Sequence, residues 1–316
     1  MEVGWVVYNR GRIGQREHLV QLAQHADRLE FSSIWVTDHI VMPVEMRSRY
    51  PFSATGTFPT EPSEDYLEPL TVLSYLAACT RRVKLGVSAL ILPHRNPLVA
   101  AKTLATLDVL SSGRVLVGVA VGWLEEEFRA LGLPPFAERG AYSEECLRIF
   151  KEVWTKDDPS FAGRYHSFTG IKFAPKPIQK PHPPIWVGGH SAAARRRAGQ
   201  FGDAWHPVGQ RPPVLLAPDE LGQAMLTVRE AAERAGRDPL SVTAALRITV
   251  KLAATAAPAG RFLLTGSPSQ VADDIRRYGD VGVTHLVLDV MTSDPATIAE
   301  TMDRFANEVR PRLGGD

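Results

Sequence analysis

Apolar positions along the chain follow two alternating patterns. Short runs rich in Val, Ile and Trp are separated by longer stretches in which apolar residues return at every third or fourth position. The run Val3–Tyr8 predicts a first strand, and Glu17–Glu30 places Leu19, Leu22, Ala23, Ala26 and Leu29 on one face of a helix suited to cover a sheet. Ser33–Thr37 predicts the second strand. The alternation continues with a helix over Pro69–Cys79, a strand over Val83–Leu92, a helix over Pro97–Leu110, a strand over Arg114–Ala120 and a helical stretch from Leu124 through Trp154. Further strands are predicted at Ile185–Gly188, Asp203–Pro207, Val242–Val250 and Val283–Leu288. They are followed by helices at Ala192–Gln200, Pro218–Ala235, Pro268–Tyr278 and Ala296–Val309. Ser267, Pro268 and Gln270 form a Ser-x-x-Gln capping box with proline in the first turn, which marks the start of the third of these helices.

Strand and helix in regular alternation predict an α/β fold of the (β/α)8 TIM-barrel class. No Pro/Ser/Gly linker divides the chain, so residues 1–316 read as a single domain. Two segments stand outside the repeat: an insertion near 41–66 after strand two, and another near 157–183 after strand four with prolines at 159, 175, 177, 181, 183 and 184. Long loops in compact domains are commonly functional, and the first leaves the C-terminal end of a strand, where barrel enzymes place their chemistry. Both are read as walls or a lid of a pocket, with a contact between copies or a plain surface loop as the competing reading.

Composition narrows the function classes. Lys+Arg of 36 against Asp+Glu of 35 gives a net charge of +1, which offers no broad field for a polyanion and argues against nucleic acid. The longest apolar stretches, such as Val115–Val121, are too short to cross a bilayer, and no basic stretch precedes an apolar run at Met1-Glu2-Val3-Gly4-Trp5. A soluble cytoplasmic protein without a membrane partner is expected. Cys79 and Cys146 fall inside helical patterns and read as two buried thiols. The nine histidines show no His-x-x-x-His and there is no Cys-x-x-Cys, so no metal site is expected.

Candidate chemistry collects at the predicted strand ends. Asp38-His39 closes strand two, where a histidine can exchange a proton and a neighbouring carboxylate can hold its ring. The alternative is an aspartate capping backbone amides beside a histidine packed at the rim. Gly188-Gly189-His190-Ser191 joins a strand to a helix and could cradle a phosphate, or could be a tight connection alone. Gly122-Trp123 ends strand four in a second glycine-bearing turn. His206 ends strand six, and Trp5 lies within strand one and can point into the barrel, so both are read as pocket residues. Arg195, Arg196 and Arg197 fan around a helix, so at most one reaches a ligand. Glu125, Glu126 and Glu127 open a helix and read mostly as solvated, dipole-favouring residues.

Ser33-Ile34-Trp35-Val36-Thr37-Asp38-His39, Arg81-Arg82-Val83-Lys84-Leu85-Gly86-Val87-Ser88 and Leu92-Pro93-His94-Arg95-Asn96-Pro97 resemble the bacterial luciferase-like monooxygenase superfamily. Leu107–Arg114, Gly118–Trp123, Pro184–Gly189 and Thr265–Pro268 extend the resemblance, in order, over nearly the whole chain. The resemblance implies a (β/α)8 barrel holding FMN or the deazaflavin coenzyme F420. The Asp-His pair looks like the deazaflavin branch, which makes Asp38 and His39 the implied catalytic and cofactor residues. It also implies a non-proline cis peptide at Ser88-Ala89 backing the deazaflavin ring, and a cofactor tail held by Gly122, Trp123, Gly188, Gly189 and Ser191. The branch's sugar-phosphate dehydrogenases have a glutamate at the position of Trp123 and a tryptophan shortly after the histidine. Here Ile40-Val41-Met42-Pro43 follows, so an apolar or aromatic small-molecule substrate is expected, with Met42 at the pocket mouth.

The implied activity is F420-dependent hydride transfer to or from a carbonyl, imine, alcohol or activated alkene. The alternatives are an FMN-dependent two-component monooxygenase, which would need a separate reductase partner, and a flavin- or deazaflavin-binding protein without turnover. A homodimer is also implied.

Overall fold

The computed structural model describes residues 1–314. Eight parallel strands close into a barrel: β1 (Glu2–Val6), β2 (Ser33–Val36), β3 (Lys84–Val87), β4 (Val115–Ala120), β5 (Ile185–Gly188), β6 (Ala204–His206), β7 (Thr243–Thr249) and β8 (Val283–Asp289). Closure comes from β8 pairing with β1 in the register Gly4↔Val287 and from β6 pairing with β7 at Ala204↔Thr243. The helices between strands are α1 (Arg16–Arg28), α2 (Pro69–Cys79), α3 (Pro97–Leu110), α4 (Glu125–Ala130), α5 (Arg139–Thr155), α6 (Ala192–Phe201), α7 (Pro218–Arg234), α8 (Pro268–Asp280) and α9 (Pro295–Arg304). The predicted capping box is formed at α8, where Ser267 accepts from the Gln270 amide and Gln270 accepts from the Ser267 amide. Among the described residues no helix is long and apolar enough to cross a membrane.

Three predicted elements are broken. The strand over Val83–Leu92 stops at Val87, turns through the cis peptide Ser88-Ala89, resumes over Leu90–Ile91 and passes into a 3-10 turn at Leu92–His94, where Pro93 ends ladder pairing. The helical stretch from Leu124 to Trp154 is interrupted by Gly132 at φ 64° and by Pro134-Pro135, giving the short α4 and the long α5. The last helix widens to a π turn over Phe305–Val309. Of the two cysteines, Cys146 is buried as expected, but Cys79 is only half-buried.

The barrel interior is filled by aromatic rings from facing strands. Trp35 stacks on Trp186 with centroids 4.7 Å apart and on His206 at 5.4 Å. Two strand glycines make this possible: a Cβ on Gly86 would lie 2.3 Å from the Trp35 ring, and one on Gly118 would lie 2.2 Å from the Val87 carbonyl oxygen. Trp5 faces the other way. It is fully buried between the barrel and its helices, edge-on to Phe31 at 5.2 Å and Phe305 at 5.7 Å, and is a core residue rather than the predicted pocket residue. The reading of 157–183 as a pocket wall is also corrected. This segment follows α5, forms a small hairpin (Phe161–Ala162 with Ser167–Phe168) and packs along α3 and α5, tied down by Glu145 to the Arg164 and Tyr165 amides and His166, and by Asp108 to Gln179.

Substituting Gly86→Ala would drive a methyl group into the Trp35 ring. The expected cost is about 1–3 kcal/mol of unfolding free energy, measured by urea denaturation.

Candidate active site

A cavity of about 420 Å³ opens at the C-terminal end of the barrel. Its sides are the residues that leave β1 to β7, and its outer wall is the first insertion through Tyr50, Phe52, Phe58 and Tyr66. The predicted residues Asp38, His39, Ser88, Ala89, Gly122, Trp123, Gly188, Gly189, Ser191 and His206 are brought together around it. Met42 is not: it is half-buried in the insertion away from the cavity, where Tyr50, Phe52 and Phe58 take the position expected of it.

His39 is held by a carboxylate, but not by its neighbour in sequence. Its Nδ1 lies 2.7 Å from Glu127 Oε2, and Glu127 Oε1 accepts from the amides of Ile40 at 2.7 Å and Val41 at 3.2 Å. Burial works against ionisation of Glu127, but the contact with His39 and these amides outweighs it and keeps the carboxyl below its ordinary range. An ionised carboxylate only accepts, so Nδ1 carries the hydrogen. Nε2, without a protein partner among the described residues, is left toward the cavity that His39 lines. His94 lies behind, with Nε2 3.8 Å from Glu127; burial lowers its pKa and holds it neutral.

The expectation that Asp38 assists His39 is therefore corrected. Asp38 accepts from the Ile91 amide at 2.8 Å and from Arg95 at 2.7 and 2.9 Å, which fixes the chain just beyond the cis peptide. Its carboxylate is fully buried and committed, a positioning role that matches the amide-capping alternative. The glutamates after β4 are likewise not mainly solvated. Glu127 binds His39, Glu126 accepts from the Arg47 and Ser48 amides and so anchors the insertion, and only Glu125 stays at the surface with Arg129. A signal existed in the sequence, since Glu127 lies three residues after Leu124 and beside Phe128, on the apolar face of α4.

The platform at Ser88-Ala89 is supported from below. His206 Nδ1 lies 2.6 Å from the Ala245 carbonyl and must donate to it, so Nε2 accepts from the Ser88 hydroxyl at 2.8 Å. Burial lowers the His206 pKa to about 3, so this histidine is a neutral prop and not an acid–base group. Beside it lies a cluster that sequence reading missed. Asp289 Oδ2 is 2.7 Å from Arg211 and 2.6 Å from Arg247, and Tyr8 donates to Asp289 at 2.8 Å. Arg247 also donates to the Ser88 carbonyl at 2.8 Å.

The strand-to-helix turn at Gly188–Ser191 suits an anionic cofactor tail. Gly189 has φ 104°, a Cβ on Gly188 would come within 3.2 Å of the Val119 carbonyl oxygen, and Ser191 caps the Ala194 amide, so the other first-turn amides of α6 have no intrahelical acceptor. Of the three arginines on α6 only Arg197 lines the cavity, paired with Glu144 at 3.1 Å. At Gly122, with φ 88°, a Cβ would strike the Phe128 ring at 2.6 Å, so glycine is needed for the turn that presents Trp123.

Burial alone would raise the pKa of Asp289, but Arg211, Arg247 and Tyr8 hold it at about 2. A depressed carboxylate contributes stability that is present above its unfolded value of about 4 and is lost as pH falls toward the folded value. Asp289→Asn leaves two buried guanidinium groups without a counter-charge. It is expected to lower stability at neutral pH by about 3–5 kcal/mol and to flatten the acid limb of a stability–pH curve between about pH 4 and 2, measured by denaturant titration.

Residues 1–261 match the family described as luciferase-like monooxygenase. The FMNH(2)-dependent dimethylsulfone monooxygenase of Pseudomonas putida is 44% identical over 142 residues, 44% of this chain and 38% of that protein. The F420-dependent glucose-6-phosphate dehydrogenase of Amycolatopsis mediterranei is 26% identical over 341 residues, covering 96% of each chain. The crystal structure of monooxygenase RslO1 from Streptomyces bottropensis shares the fold, with a TM-score of 0.77 at 23% identity over 99% of this chain and 100% of that one. The barrel, the strand-end cavity and the match over residues 1–261 agree: the chain belongs to the luciferase-like monooxygenase family, whose members among these relatives include both FMN- and F420-dependent enzymes.

Proposed function

We propose that this protein is an F420-dependent oxidoreductase that moves a hydride between carbon five of the deazaflavin and a carbonyl, imine, alcohol or activated alkene of a small organic substrate. The observation that carries the proposal is the imidazole of His39, oriented by buried Glu127 and with Nε2 left toward the cavity. Hydride transfer to a C=O or C=N bond, or from the corresponding alcohol or amine, moves two electrons and must be matched by one proton on the heteroatom. His39 exchanges that proton at Nε2, and Glu127 stabilises the imidazolium when the proton is held. An F420-dependent relative that aligns over 96% of both chains supports the same reading.

The residues present fit the cofactor. Ser88-Ala89 and the His206 prop offer a flat seat for a ring, and Gly188, Gly189, Ser191 and Arg197 offer hydrogen-bond donors and positive charge for a phosphate. F420, when bound, supplies a hydride donor or acceptor that reacts poorly with oxygen. The protein contributes position: Tyr50, Phe52, Phe58 and Trp123 wall off the cavity, and aligning the two reactants removes much of the entropic barrier. A second reading, FMN reduced by a separate reductase and used for oxygen insertion, is favoured by the 44% identity to the dimethylsulfone monooxygenase over 142 residues.

A paired fluorescence titration of the purified chain with F420 and FMN tests the choice. Selective binding of F420 is expected, and selective binding of FMN would overturn the proposal in favour of oxygenation. With cofactor identity known, His39→Ala should lower kcat by roughly 100-fold or more while leaving cofactor affinity nearly unchanged. Turnover equal to that of the parent protein would remove His39 from the mechanism.

A further inference from the structure

The cavity is lined by four arginines, Arg10, Arg197, Arg211 and Arg247, and by one carboxylate, that of Asp38. Most of this charge is compensated. Arg10 pairs with Glu64 at 2.8 Å, Arg197 shares Glu144 at 3.1 Å, and Asp38 is taken up by Arg95 at 2.7 Å. Arg211 and Arg247 differ, because both are buried and both draw on the same oxygen of a single carboxylate, Asp289, whereas the second arginine on Glu144, Arg196, is exposed to solvent. Tyr8 adds no negative charge: its hydroxyl donates to Asp289, and burial keeps it protonated. One positive charge is therefore left over, on side chains only 8% exposed. An unpaired charge in so poorly hydrated a place is strongly unfavourable unless something supplies its counter-charge.

Arg211 also has hydrogen-bonding capacity in reserve. A guanidinium has five N–H donors. Its Nη2 is engaged with Tyr8, Asp289 and the Met291 sulfur; among the described residues its Nη1 makes only a long bond of 3.3 Å to the Tyr50 hydroxyl, and its buried Nε has no acceptor. The backbone that carries it is fixed, since Arg211 and Val214 exchange amide–carbonyl bonds of 2.8 and 2.7 Å across a tight turn. Arg247 ties the cluster to the ring seat through the Ser88 carbonyl.

We infer that the substrate carries a carboxylate, or an oxyanion of similar size, on an apolar or aromatic body, and that Arg211, backed by Arg247, receives this group. The inference rests on the hydride-transfer reading for the site's purpose, but the anion subsite itself does not depend on which cofactor binds. Tyr50, Phe52, Phe58 and Val214 supply the apolar surface around the charged floor. A charge-assisted hydrogen bond from a guanidinium favours such a group over a neutral isostere.

The test is calorimetric titration of the full-length protein with benzoate and with benzamide, first without cofactor and then with F420 or FMN, whichever it takes. Benzoate is expected to bind at least about tenfold more tightly than benzamide, and to bind the cofactor-loaded protein as well. Arg211→Gln should abolish the preference and lower Tm less than Asp289→Asn does, because Asp289 keeps Arg247 as its counter-ion. Arg211→Lys, which retains the charge, should keep part of it. Equal affinity for the two ligands would overturn the inference. So would an unchanged preference for benzoate in Arg211→Gln, which would make Arg211 a structural partner of Asp289 only. Mutual exclusion of benzoate and cofactor would also overturn it, by assigning the free charge to the cofactor's own anion. None of these outcomes depends on turnover, so failure here leaves the hydride-transfer proposal standing, and failure of that proposal leaves the anion subsite measurable.

Discussion

A fully buried carboxylate, Asp289 at the end of β8, holds the floor of the cavity together. It engages Arg247 from β7, Arg211 from the segment after β6 and Tyr8 from the chain leaving β1. Burying an ion is tolerable only when its partners are close and well aligned, so these four side chains constrain one another and the backbone that carries them. Through Arg247 the constraint reaches the Ser88 carbonyl on the far side of the barrel. His206 meets the Ser88 side chain from below. The Ser88-Ala89 turn is thus fixed by two independent contacts, and a rigid seat of this kind is what orienting a ring against a substrate requires.

His39 is held separately from that cluster. Asp38 and His39 are adjacent in sequence and both border the cavity, but each side chain is held by a different partner. Asp38 turns toward Arg95 and the Ile91 amide, and His39 toward Glu127. Glu127 comes from the helix that follows β4, and its other oxygen binds the first amides of the insertion after β2. The imidazole and the start of the cavity's outer wall are consequently anchored by the same carboxylate, which couples the placement of His39 to that of the insertion.

The two insertions show where local reading reaches and where it stops. The segment near 41–66 leaves a strand and so emerges at the C-terminal face, and it does line the cavity. The segment near 157–183 leaves α5, which has already carried the chain back toward the opposite face, and it packs against helices. Proline content marked both as irregular without saying which end of the barrel they occupy. Connectivity would have separated them, since only strand-to-helix loops face the active end. Trp5 failed as a pocket residue for a related reason: a strand of a barrel has an inner and an outer face, and period alone does not say which residue takes which.

Alternating periodicity, the capping box at Ser267, the glycines that open strand ends and the ordered series of motifs were sufficient to specify a (β/α)8 barrel, its family and part of the lining of its mouth. These are properties of short segments, set by backbone geometry and by which side chains must leave water. The pairing of His39 with Glu127, the sharing of Asp289 by Arg211 and Arg247, and the charge left over between them were decided by the tertiary structure. Each joins residues from separate barrel units, and a hydrogen bond requires placement within a few tenths of an ångström that no local pattern encodes.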